Sequence, residues 1–398
     1  MFALGASTGS FLNVVVYRLP LEMSLVKPSS HCPVCKHSIA WYDNIPIFAW
    51  FALRGRCRHC RGAFSFRYPL LELFTALLFV GLYVVYFMIG TRREMPVFLR
   101  GGWLVFTGHI ILLCVLLASS LIDGEHWIIP LSVCYLAAGV GLLLSAIYPY
   151  FLSLEDNTLR HLVPYASGRS GAAALGALPG LVVSLLMLKF GIIKRSFEQW
   201  EQDEAGLSPS EETAPGAKSD QKESPSEKTP ENVGAVENVR PEIIRELGFL
   251  APILAGGLLS LWLLTGTGLN SWWEEIILTQ KWLTGLLGSI FGFMIGGAVV
   301  WATRVLGSLA FGREAMGLGD VHLMAAVGAV LGWASPLIAF FVAPFFGLGW
   351  ALTRLVLHRH REIPYGPFLS MGTVLVMIFY NVFIDYFANA FMPPQLNL

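Results

Sequence analysis

Charged residues are scarce in this chain. Lys, Arg, Asp and Glu make up 14% of its 398 residues, whereas 55% are hydrophobic. A soluble domain carries roughly a quarter charged residues, so that class is excluded. The long apolar runs define an all-α polytopic membrane protein instead. Net charge is missing too: 27 basic residues balance 27 acidic ones, and no excess of either sign points to nucleic acid. The first apolar run has no basic n-region and no small-residue cleavage site, so no cleavable signal peptide is expected. "GASTGS" and "GAKSDQ" do not match a phosphate loop, so ATP use is not indicated. No H-E-x-x-H spacing and no serine elbow motif occurs.

Apolar spans run near 1–17, 70–89, 103–122, 128–150, 172–193, 248–266, 283–305, 321–334, 337–357 and 368–391. All are expected to be helices, because lipid leaves no other open structure with satisfied backbone groups. The first, Met1 to Tyr17, is short for a span, which takes about 20 residues, and a trimmed start is expected. The loop 18–69 is rich in Arg and Lys and poor in acids, which places it in the cytoplasm. Counting spans then puts the loops near 123–127, 194–247, 306–320 and 358–367 on the same side. "KRSF" and "HRHRE" agree with that placement, and "TRREMPVFLR" (91–100) argues against it. Residues 201–240 are rich in Glu, Ser, Pro and Lys; such a segment buries too little apolar surface to offset its ordering entropy and reads as a disordered linker. A docking or phosphorylation tail is the alternative. "LNSWWEEIILTQKWL" (269–283) has aromatics where a membrane interface wants them and reads as an interfacial helix.

Four of the six cysteines fall in the basic loop. Cys32 with Cys35 and Cys57 with Cys60 form two C-x-x-C knuckles, "CPVCKHSI" and "CRHCRGAF". Two such turns can close a tetrahedral four-thiolate site for Zn²⁺. Four protein ligands leave no open position, so the zinc role is structural. Free thiols or two disulfides are the alternatives, and a cytoplasmic loop disfavours the disulfides. Cys114 and Cys134 lie inside spans and read as small buried hydrophobes.

Acids inside apolar spans are rare. Glu72 begins the second span and Asp385 sits in the last. Asp123 ends the third, in "ASSLIDGEHWIIP", and Asp320 begins the eighth, in "MGLGDVHLMAAVGAVLGW". Taken singly, Asp320 suits a helix N-cap behind Gly317 and Gly319, and Asp123 suits an exposed loop acid. Taken together, they lie at one depth and suggest aspartyl-protease chemistry. Two adjacent carboxylates share a proton; the charged one activates water and the protonated one polarises the scissile carbonyl. Such a pair titrates as a unit. Glu125, His126 and His322 stand near these aspartates, and a second metal among them is a weighed alternative.

These stretches resemble the type IV prepilin peptidases, the leader peptidase and N-methyltransferase family of membrane GxGD aspartyl proteases. "GSFLNVVVYRLP" (9–20), the cysteine loop with "FRYPLLELFTALL", "LID" (121–123) with "IIP" (128–130), "GREAMGLGDVHLMAAVGAVLGW" (312–333) and "IPYGPFLSMG" (363–372) follow the family's order. The resemblance covers roughly residues 1–150 and 283–391. It implies a first helix at 1–17, the zinc loop at 18–69, and helices over 70–150 and 283–391. That makes about eight family helices, plus two apolar segments in an insertion at 151–282. It further implies that Asp123 and Asp320 are the catalytic pair and that the four loop cysteines bind zinc. The implied substrates are type IV prepilins or type II secretion pseudopilins, cut after a glycine at the cytoplasmic face of a bacterial inner membrane. The bifunctional members then methylate the new N-terminus with S-adenosylmethionine, at a site no motif here identifies. His322 stands where the family has lysine, and Leu131 where an acid or amide is common. Two other readings remain: a non-catalytic zinc-knuckle scaffold of a secretion machine, and a transporter using the two aspartates as proton or cation sites.

Overall fold

The computed structural model describes residues 1–93, 95–152, 163–194, 196, 239–356 and 364–391. The linker at 201–238 and the "HRHRE" stretch lie outside them. The described residues contain helices and no extended strand; two isolated bridges, His31 with Ser38 and Arg56 with Ala63, close the two cysteine knuckles. The helices are α1 (Phe2–Arg18), α2 (Phe48–Ala52), α3 (Arg67–Ile89), α4 (Gly102–His126), α5 (Leu131–Phe151), α6 (Gly168–Lys189), α7 (Arg240–Gly266), α8 (Asn270–Thr279), α9 (Lys281–Phe311), α10 (Leu318–Leu331), α11 (Ala334–Val356) and α12 (Gly366–Phe391). Eight of them are long and apolar enough to cross a membrane. The chain is a multi-pass membrane protein.

The centre of the bundle is α10. Its fourteen residues reach about 21 Å at 1.5 Å per residue, less than the roughly 30 Å of a hydrocarbon core. Eleven of the fourteen are buried, so neighbouring helices rather than lipid cover it. Helices α4, α5, α9, α11 and α12 surround it. Its contact with α9 is backbone on backbone. A Cβ at Gly328 would stand 1.9 Å from the Gly292 carbonyl oxygen, and one at Gly292 would stand 2.1 Å from that of Gly328. Small residues of this kind let membrane helices approach closely where no hydrophobic drive separates protein from lipid.

Helices α6 and α7 pair with each other in the same way. A Cβ at Gly176 of α6 would meet the Gly256 carbonyl of α7 at 2.2 Å, and one at Gly180 the Pro252 carbonyl at 2.2 Å. Within 269–283, where an interfacial helix is expected, Asn270–Thr279 forms helix α8. Trp272 and Trp282 are exposed, but Trp273 turns inward and donates its indole N–H to the Gly168 carbonyl at 2.7 Å.

Which helix ends meet is fixed by ion pairs. Arg67, the first residue of α3, pairs with Glu125 near the end of α4 at 2.5 Å. The end of α4 carrying Asp123 therefore lies on the same side of the bundle as the cysteine loop. At the other side, two of the three arginines of "TRREMPVFLR", Arg92 and Arg93, are engaged within the bundle. Arg92 is buried, with Tyr86 and Tyr380 rings 6.0 and 5.0 Å from its guanidinium, and Arg93 pairs with Asp385 at 2.8 Å. Arginines engaged in this way are poor reporters of topology by loop charge, which explains their conflict with the charge rule.

Candidate active site and zinc loop

Asp123 sits in the last turn of α4. That helix stops at Trp127, whose φ of +59° turns the chain and whose N–H bonds the Asp123 carbonyl at 3.0 Å. Pro130 then holds the chain extended and starts α5. The intervening Ile129 lies between the two acidic sites. A Cβ at Gly319 would stand 2.8 Å from Ile129 Cβ, and one at Gly366 would stand 3.0 Å from Ile129 Cδ1. Glycine at both positions is what lets the start of α10 and the start of α12 close around this residue.

The Asp123 carboxylate is buried, at 5% exposure, and is hydrogen-bonded by the Gly366 N–H. A Cβ at Gly366 would stand 2.5 Å from Asp123 Oδ2. Asp320 is 8% exposed and lies within electrostatic reach of Asp123, Arg304 and the Tyr365 hydroxyl. The N-cap of α10 is Gly317, with no side-chain cap bond, so Asp320 is not the capping residue its sequence position also allowed. It is the third helical residue, and the Gly317 N–H bonds its carboxylate, as the N3 acid does in half of a capping box. Its Oδ1 is buried without a hydrogen-bond partner among the described residues. A buried acceptor left open in this way costs about 1–3 kcal/mol, a cost tolerated where something else is to bind.

The other candidates go elsewhere. Glu125 is taken by Arg67. His322 Nδ1 bonds the Leu318 carbonyl at 2.8 Å, and its ring stands edge-on to Tyr135. Glu72 accepts the Ile47 N–H at 2.6 Å and ties the cysteine loop to α3. Cys134 is buried within α5.

The four loop cysteines converge. Their Sγ atoms all lie within 4.8 Å of one another, with Cys32 to Cys60 at 3.7 Å and Cys35 to Cys57 at 4.0 Å. Four sulfurs at about 2.3 Å from one zinc ion would stand about 3.8 Å apart, so the donor set fits the metal in number and size. The two knuckles repeat one design. In each, the first cysteine's N–H bonds the carbonyl five residues on (His37, Gly62). Its own carbonyl accepts from the residue four on (Lys36, Arg61), which has positive φ. Backbone N–H groups around Cys35 lower the Cys32 thiol to about 6. The Gly62 N–H pulls the Cys60 thiol down, but burial and the neighbouring sulfurs outweigh it and push it up to about 11.

Residues 3–86 match the bacterial peptidase A24 N-terminal domain, and residues 251–352 match the type IV leader peptidase family. In these two stretches the chain is similar to the type IV leader peptidases. Similar proteins include the prepilin leader peptidase/N-methyltransferase of Myxococcus xanthus (strain DK1622), 43% identical over 36% of this chain and 39% of the relative. That of Klebsiella pneumoniae is 40% identical over 37% of this chain and 62% of the relative. That of Aeromonas hydrophila is 24% identical, over 98% of this chain and 94% of the relative. The chain spans between 39% and 62% of the length of the first five curated relatives it matches. No solved structure matches. Asp320 falls inside the matched leader peptidase region, whereas Asp123 lies between the two matched stretches.

Two groups at this end of the bundle were not singled out by sequence. Arg304, in "WATRVLG", is fully buried, and Glu246, in "IIRELG", is 3% exposed. A charge set inside or against an apolar run was the available signal.

Proposed function

We propose that this protein is a membrane aspartyl endopeptidase that removes the leader of type IV prepilins or pseudopilins. The observation that carries the reading is the convergence of two buried carboxylates from α4 and α10 in a chain similar to this family. Asp123 and Asp320 are the catalytic pair. The ionised member takes a proton from water, and the protonated member donates a hydrogen bond to the scissile carbonyl. The open Oδ1 of Asp320 is the acceptor left for that water or proton. Gly317 leaves backbone beside the pair exposed, so an extended substrate segment can lie close. A site at the end of the bundle supplies water that a mid-bilayer site would lack, while the substrate's apolar helix stays among lipid and helices.

Cys32, Cys35, Cys57 and Cys60 would hold a structural Zn²⁺ that fixes the loop between α1 and α3. Relatives named leader peptidase/N-methyltransferase support a second step, methylation of the new N-terminal amine, for which S-adenosylmethionine supplies the methyl group. The site of action is the cytoplasmic face of a bacterial inner membrane.

The test is incubation of the purified full-length protein with a prepilin. Shortening of the prepilin by its leader is expected, with Asp123→Asn and Asp320→Asn each reducing it to background while thermal unfolding is unchanged. Cleavage at the wild-type rate by either variant would refute the two-aspartate reading. Mass analysis of the product for an added methyl group decides the second step.

A further inference from the structure

Helix α7 is joined to the start of α10 by a buried ionic network. Arg304 of α9 donates from Nε to Glu246 Oε1 of α7 at 2.7 Å. Its Nη1 donates to the Glu314 carboxylate and to the Met316 carbonyl. Glu246 is held on its other side: Trp301 Nε1 donates to its Oε2 at 3.1 Å and Ser196 Oγ to its Oε1 at 2.9 Å. Arg304 is 0% exposed and Glu246 3%. Glu314 and Met316 belong to the short segment 312–317 that leaves α9 and enters α10. That segment is otherwise fastened by the Ala315 N–H bonding Ser308 Oγ at 3.1 Å and by Gly307, whose missing side chain admits Ala315. Met316 precedes the N-cap of α10, and Asp320 follows four residues later.

Burying an ion pair is costly, and well-packed apolar residues of similar volume often serve stability as well or better. What the pair adds here is geometry, because one planar guanidinium addresses α7, α9 and the 312–317 segment at once. We propose that Glu246 and Arg304 are positioning residues that clamp the 312–317 segment, so that α7 sets where the Asp320 carboxylate stands. This rests on the two-aspartate reading above and gives α7 a role in it. Glu246 itself lies outside both family-matched stretches.

The test uses the full-length protein in lipid nanodiscs with Glu246→Ala, Glu246→Gln and Glu314→Ala. Arg313 is exposed within the clamped segment, so trypsin cleavage after it reports the clamp without reference to activity. Glu246→Ala is expected to speed that nick at least tenfold. It should also lower kcat for prepilin cleavage by about a hundredfold, the scale of an ångström misplacement, with KM within twofold. Glu246→Gln keeps one acceptor oxygen, for Arg304, but sets an NH2 donor against the Trp301 N–H, so it should restore only part of both. If Glu246→Ala does not fold, Glu314→Ala, which leaves the Arg304–Glu246 pair intact, is read in the same way. Unchanged nicking overturns the clamp. Faster nicking with unchanged kcat, or a loss confined to KM, overturns the positioning role. Wild-type cleavage by Asp320→Asn would instead defeat the two-aspartate reading, and the nicking result would still decide the clamp.

Discussion

Substituting Gly328→Ala puts a number on how closely α10 is held. The added Cβ would lie 1.9 Å from the Gly292 carbonyl oxygen, against 3.4 Å for an ordinary van der Waals contact, so α9 and α10 must part by 1.5 Å. Neither side has a flexible side chain to yield, because both contacting groups are backbone. Overpacking of this kind costs about 1–3 kcal/mol. Asp320 sits on the same helix about two turns away, and a displacement of about 1 Å at a reacting group costs on the order of a hundredfold in rate. The expected result is a lowered unfolding temperature and a kcat for prepilin cleavage down by one to two orders of magnitude. Gly139→Ala on α5 and Gly349→Ala on α11 are the controls, since a Cβ at either meets nothing within 4 Å, and both should behave as wild type. Assays are run on the same preparation in nanodiscs. A Gly328→Ala protein with wild-type unfolding temperature and kcat would refute the packing argument, and with it the claim that α9 fixes the height of Asp320.

Three other outcomes follow from the geometry. Gly366→Ala brings a Cβ to 2.5 Å from Asp123 Oδ2; it should cut kcat at least tenfold with little change in unfolding temperature, and a normal kcat would count against Asp123 as drawn. The double variant Cys32→Ser, Cys57→Ser should retain less than one zinc per chain by atomic absorption, and acidification should release zinc from the wild type as protons displace it from thiolates; stoichiometric zinc in the variant would rule out the four-cysteine site. The Arg58 guanidinium, 2.6 Å from Asp43, holds that carboxyl below the usual carboxylate range, so the pair's contribution is complete above the unfolded value of about 3.9 and fades only as pH falls through the folded value. Asp43→Asn should therefore speed zinc loss to a chelator by the same factor at pH 7 and pH 5.5, and a factor that vanished between those values would be inconsistent with the pair.

Helix positions were readable because lipid imposes a simple rule on composition. The span expected at 103–122 is Gly102–His126, and that at 321–334 is Leu318–Leu331. The cysteine knuckles were readable because their chemistry is local: two residues between thiols force the turn whatever surrounds it. The close pairing of α9 with α10 was present as Gly292 and Gly296, four apart. Forty glycines in the chain hide such a spacing unless the partner helix is known. Helix order in space is a matter of long-range contact, and no local pattern says that α7 reaches Arg304. The four long apolar helices between Asp123 and Asp320, α5, α6, α7 and α9, are an even number, which returns the chain to the same side.

The same long-range contacts separate structural acids from chemical ones, which burial alone does not do. Glu246 is as buried as either aspartate, yet Arg304 answers its charge. Asp385 is answered by Arg93 and Glu125 by Arg67, and Glu72 accepts a backbone N–H. Asp123 and Asp320 form no ion pair among the described residues. Each instead has a glycine N–H, Gly366 or Gly317, and the other carboxylate within electrostatic reach. A buried acid compensated by an arginine is held in one protonation state by that partner. Two adjacent carboxylates repel when both are charged and so share a proton, and that sharing is the property the proposed water activation needs. On the proposed reading, the acids in arginine ion pairs assemble the bundle, and the two outside any described ion pair carry its chemistry.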